Sequence, residues 1–175
     1  MTPRTSQAHI FPSRGTWARA VPIVMTACGD YMNDYRAITK HNNTLSPSDT
    51  FALHNESVAY LTDILPQCKE NTILFTHHAP SMKSVEGLDR VAGAQGAYAS
   101  DLEYLLVDNP QVKFAFHGHT HRSENYRVGQ CTVVSNPRGY KNYSENDGYL
   151  QALCFDVDIY TRTVEELAQA VPTTT

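Results

Sequence analysis

Two short apolar runs constrain the fold of this chain more than anything else in it: residues 72–76 (T-I-L-F-T) and residues 112–116 (V-K-F-A-F). Each is strand-length, rich in β-forming side chains and nearly free of polar alternation. Runs of that kind are expected as strands buried on both faces of a sheet. A helix-length stretch separates them, and parallel neighbours need such a crossover because a tight turn cannot join them. Both runs also stop on the same residue type. His77 and His78 follow the first, and His117, His119 and His121 end the second, so five of the eight histidines sit at two strand ends.

The rest of the chain reads around that pair. Ile23, Val24, Ala27, Tyr31, Tyr35 and Ile38 recur at three- and four-residue steps and predict a helix, weakened at Gly29. A clearer helix follows Ser46-Pro47-Ser48-Asp49, which offers a capping serine, a proline at the first helical position and an acid three residues after the cap. Leu53, Val58, Leu61, Ile64 and Leu65 give it an apolar stripe that ends near Pro66. Residues 81–96 carry Gly87, Gly93 and Gly96 and are expected as a surface loop beside a strand end. Residues 100–107 restart a helix with Ser100 as candidate cap and stop before Pro110. Residues 131–134 and 149–157 read as further strands, with residues 159–164 pairing with the latter and a helical turn or two after Glu165. The expected fold is therefore α/β, with a partly parallel sheet and an antiparallel extension towards the C-terminus. Residues 1–19 read as an irregular leader, 20–170 as one domain and 171–175 as a tail.

Charge and composition narrow the function. A net charge of −4 argues against broad binding to nucleic-acid backbones, which needs a basic face. A phosphorylated substrate stays open, because bound cations supply positive charge locally. No run reaches the ~18 apolar residues that cross a bilayer, so no membrane partner is expected. The apolar stretch at 20–28 is short and contains Pro22, which speaks against a targeting segment. Cys28, Cys68, Cys131 and Cys154 form no C-x-x-C pair, so a zinc ribbon is not expected. Isolated cysteines of this kind are usually buried and reduced, which suits a cytoplasmic protein.

Histidine is the commonest ligand for borderline transition metals. In open α/β sheets, ligands bind beyond the carboxyl ends of the strands, where His77 and His119 stand. His119 and His121 are two apart, and in an extended segment residues i and i+2 face the same way, so both rings are expected to enter one cavity. Gly118 allows the tight backbone needed there.

The motif Gly118-His119-Thr120-His121 resembles the G-H-x-H signature of calcineurin-like metallophosphoesterases. Thr76-His77-His78-Ala79-Pro80 is similar to the family's preceding histidine motif, and Met32-Asn33-Asp34-Tyr35-Arg36, the capped helix after Ser46 and Ser135-Asn136-Pro137-Arg138-Gly139-Tyr140 extend the likeness over roughly residues 21–160. The resemblance implies the C-terminal part of a metallophosphoesterase-like α/β sandwich that hydrolyses phosphomonoesters or phosphodiesters with metal-activated water. It implies His77 and His119 as ligands of one metal, His121 as ligand of a second, His78 as the proton-transfer residue and Arg138 as a phosphate contact. Two divalent ions are implied, drawn from Mn, Fe, Zn and Ni. His117 has no matching role and is expected as a packed histidine. The family also has D-x-H, a bridging G-D aspartate and G-N-H motifs; this chain has no D-x-H and no Asn-His pair, and Gly29-Asp30 stands too late in the order to be the bridge. The alternative expectation is a catalytically silent domain that keeps one mononuclear site on His77, His119 and His121.

Overall fold

The computed structural model describes residues 25–26, 28–88, 94–142 and 144–155. The expected leader, the beginning of the first helix, residues 156–157, the strand at 159–164 and the C-terminal tail lie outside the described residues; residues 149–155, expected as a strand, form a turn and irregular chain instead.

The first expected helix is interrupted. Residues 28–31 are helical, Met32 and Asn33 break the run, and a short helix α1 covers Asp34–Ala37. A two-residue hairpin follows, β1 (Thr39–Lys40) with β2 (Asn43–Thr44), turning through His41 and Asn42, both at positive φ. Helix α2 (Pro47–Ile64) then starts where the sequence places it. The Ser46 side chain accepts from the Asp49 backbone amide, and the Asp49 carboxylate accepts from the Ser46 amide, closing a capping box with Pro47 in the first turn. Lys40 adds an ion pair to Asp49 at 2.8 Å.

The central sheet has four strands in the order β3 (Thr72–Phe75), β4 (Val112–His117), β6 (Cys131–Ser135), β5 (Glu124–Val128). β3, β4 and β6 are parallel, and β5 is the antiparallel partner of β6. Helix α3 (Glu103–Asp108) lies in the crossover from β3 to β4. It begins at Glu103 with Leu102 in the cap position and no side-chain cap, so the Ser100 hydroxyl does not cap it. A last small hairpin pairs β7 (Gly139–Tyr140) with β8 (Ser144–Glu145). The mixed α/β class and the partly parallel sheet expected from the sequence are therefore present.

Strand pleating divides the sheet into two faces. Leu74, Ala115, Val133 and Tyr126 form one cross-strand row, and with Val128 and Cys131 they pack against Leu61, Ile64, Leu65, Leu105 and Leu106. Phe75, Phe114 and Phe116 stack on the opposite face, where Phe155 leans on Phe114 and Phe116. β3 is not buried on both faces as its composition suggests: Phe75 is 73% exposed. The stripe on α2 is likewise covered at its C-terminal end alone, with Leu61 and Ile64 against the core and Leu53 exposed. Cys28 and Cys131 are buried, but Cys68 is half-buried and Cys154 exposed; all four are free thiols.

Candidate metal centre

Because β3, β4 and β6 run parallel, their carboxyl ends meet at one edge. Three segments leave the sheet there: Thr76-His77-His78, Gly118-His119-Thr120-His121 and Asn136-Pro137-Arg138. The first two are joined through the backbone. Gly118 and His119 both donate to the His77 carbonyl, at 3.2 and 3.0 Å, while Thr76 donates to the Phe116 carbonyl at 2.9 Å. The ladder of the parallel pair thus continues past the strand ends and fixes the separation of the two histidine segments.

Three imidazoles gather as a result. Ring centroids lie 4.7 Å apart for His77 and His119, 4.6 Å for His78 and His119, and 5.3 Å for His77 and His78. His77 and His78 face solvent, and His119 is half-buried. Tyr98 stacks on the His119 ring at 4.7 Å, with planes inclined by 27°.

His121 stands beside this trio. The chain does not stay extended after β4: the His121 amide donates to the Gly118 carbonyl at 3.3 Å, and His121 has φ 50°, in the left-handed region. Histidine tolerates that region better than most residues. The alternation expected for His119 and His121 is therefore replaced by a turn. The His121 ring meets the edge of Tyr140 at 4.8 Å, and its charge is still felt at His119. Arg138 is exposed, two residues before Tyr140, and its carbonyl accepts from the Asn146 amide at 3.1 Å.

Electrostatics favour neutral imidazole. Burial, followed by the charges of His78 and His77, lowers the His119 pKa to about 4, with Asp34 opposing. Loss of water on its inner side lowers the His78 pKa, reinforced by His77 and His54 and again opposed by Asp34. Neutral rings keep a lone pair for a Lewis acid. Asp34 and His54 were not among the expected site residues. Asp34 belongs to the Met32–Arg36 motif, and an acid inside a recognised motif is the signal that marks it; His54 lies on α2 with no motif around it. Tyr98 comes from the loop ahead of α3, and nothing in its local sequence announces that contact.

The donor set suits one ion better than two. The Nε2 of His119 is buried with no hydrogen-bond partner, and such an atom is costly unless something occupies its lone pair. With Zn–N bonds of about 2 Å, two imidazoles on a tetrahedral ion have centroids roughly 5 Å apart, close to the spacing of this trio. Among the described residues, however, no group of three or more His, Cys, Asp or Glu side chains is arranged to hold a metal ion. Closing on an ion therefore requires the rings to turn about their side-chain torsions. Two close divalent ions need bridging carboxylates to offset their repulsion, and Asp34 is the acid whose charge reaches both His78 and His119.

A stretch of 129 residues is 26% identical to the uncharacterized protein L509 of Acanthamoeba polyphaga mimivirus. The stretch covers 66% of this chain and 44% of that protein, so the chain spans less than half the length of this relative. No protein-family model matches the chain. No solved structure matches it either.

Proposed function

We propose that this chain carries the histidine half of a metal-dependent phosphoesterase centre, in a metallophosphoesterase-like sandwich of which the four-stranded sheet is one part. The observation that carries the reading is the buried, unpartnered Nε2 of His119 inside a trio of imidazoles at the carboxyl ends of parallel strands. His119 and His77 are the ligands this geometry favours, with His121 able to join from the adjoining turn. When bound, a divalent ion supplies positive charge for phosphoryl oxygens and lowers the pKa of a water to near neutrality. The chain's own groups do the remainder. His78 faces solvent against His77 and His119 and is placed to move a proton to or from the ester oxygen. Arg138, exposed beyond β6 at the same sheet edge, is the proposed phosphate contact. Asp34 offsets the positive charge that gathers there.

The single-ion character of the donor set favours a second reading, a domain that binds one metal without turnover. Metal analysis and hydrolysis assays separate the two. Purified protein reconstituted with Mn²⁺, Ni²⁺ or Zn²⁺ is expected to retain about one equivalent and to hydrolyse bis-p-nitrophenyl phosphate. His119→Ala should abolish both. Retention of metal without hydrolysis supports the non-catalytic reading, and retention of neither removes the metal centre altogether. His54 is unsuitable as a neutral control because His78 senses its charge; Tyr60→Phe, on α2 and 64% exposed, serves instead.

A further inference from the structure

Beneath the three imidazoles runs a chain of side-chain hydrogen bonds that the proposed chemistry does not use. His117, the last residue of β4, is buried, and its Nε2 lies 2.9 Å from the Ser84 hydroxyl. Ser84 is fully buried and lies 2.6 Å from the Tyr126 hydroxyl. Ser81 adjoins Tyr126 and lowers its pKa against the larger effect of burial, and the fully buried Ser81 hydroxyl donates to the Glu103 carboxylate at 2.6 Å. Lys83 holds that carboxylate at 3.2 Å from the solvent side.

Counting donors gives the chain a direction. Glu103 accepts from Ser81, whose oxygen already accepts from the Lys83 amide at 3.1 Å. The one Ser81 proton is therefore spent on Glu103, so towards Ser81 the Tyr126 hydroxyl can act only as a donor. With Tyr126 donating towards Ser81, it accepts from Ser84 and Ser84 accepts from His117, an order that puts the His117 proton on Nε2. The Nδ1 atom of His117, buried without a partner, is then a bare acceptor rather than an orphaned N–H, the less costly of the two. Every donor points towards one carboxylate, the arrangement in which successive bonds strengthen one another.

The ends of this chain are what give it meaning. Ser81 and Ser84 lie on the loop that follows His77 and His78, and His117 is two residues before His119. We propose that Ser84, Tyr126 and Glu103, acting through His117, are positioning residues that lock the two histidine segments at the spacing a shared ion needs. This rests on the metal reading of the site. Backbone bonds to the His77 carbonyl tie the segments on one side, and the hydroxyl chain ties them on the other. Ligand geometry must be held to about half an ångström, which a single tie between two loops leaving the sheet does not secure.

The test is a Co²⁺ titration of the full chain, followed in the visible ligand-field band, together with ¹⁵N–¹H NMR of the histidine rings in metal-free protein. The variants are Ser84→Ala, Tyr126→Phe, Glu103→Gln and, as a control outside the chain of bonds, Tyr104→Phe. In wild type and Tyr104→Phe, His117 is expected to show the Nε2–H tautomer and Co²⁺ a normal band. Ser84→Ala and Tyr126→Phe should weaken Co²⁺ binding by about 10- to 100-fold, alter the band and change the His117 ring signals. Glu103→Gln, at the half-exposed end, should move the same signals in the same direction and covers a failure of the buried variants to fold. Wild-type affinity and band in the variants overturn the proposal, as does weakened binding with unchanged band and tautomer, which marks simple loss of stability. Absence of any Co²⁺ band in wild type overturns the metal reading itself, recognisable because the His117 tautomer signal remains.

Discussion

At the scale of single residues, burial sets a pH response that does not depend on any ligand. Burial lowers the His117 pKa to about 4, against 6.5 when exposed. Between those values the unfolded chain binds a proton that the folded chain does not, so stability falls as pH drops from 6.5 towards 4 and levels off below. A shift of that size corresponds to about 3 kcal/mol. Urea denaturation at pH 7 and pH 4.5 is expected to show the drop, and His117→Asn should make it smaller without abolishing it, because His119 is lowered to about 4 as well; an unchanged pH slope in that variant would refute the assignment. The meeting of His77, His78 and His119 was legible in the sequence, because strand ends and parallel pairing follow from local pattern. Asp34, His54 and Tyr98 were not, since their approach depends on how α1, α2 and the loop before α3 fold back across the sheet edge. The expectation that His119 and His121 face the same way failed at His121, where a turn at positive φ replaces the extended segment.

Elements divide in the same way. The capping box of α2 was legible because all its atoms lie within four residues. Ser46→Ala removes the side-chain acceptor for Asp49 and should cost about 1 kcal/mol, read as a lower urea midpoint with no change in the metal titration. The hairpin of β5 and β6 was only half legible. Residues 131–134 read as a strand, but Glu124–Val128 mixes charged and apolar residues and lies outside the expected strands; Gly129, at φ 58°, marks the two-residue turn between them. The stripe on α2 shows the converse error. Periodicity says which side of a helix is apolar, not how much of that side meets a neighbour, and here the contact is confined to the C-terminal end.

For the whole molecule, an ion held by residues from both histidine segments must stabilise the fold by mass action. Zn²⁺ at ~100 times its dissociation constant should raise the unfolding free energy by about 2.7 kcal/mol, EDTA should reverse the gain, and His119→Ala should show neither effect; equal stabilisation of wild type and variant would mean the ion binds elsewhere. Among the described residues no helix is long and apolar enough to cross a membrane. The sequence by itself determined the mixed α/β class, the parallel β3–β4 pair, the α2 cap and the two histidine-bearing strand ends, because each follows from backbone geometry and side-chain period over a few residues. Tertiary structure alone decided which imidazoles touch, that Asp34 acts on them, and that a chain of hydrogen bonds ties His117 to Ser84 and Tyr126. Those are contacts between segments far apart in the chain, and their energies depend on distance and desolvation, which exist once the sheet has assembled.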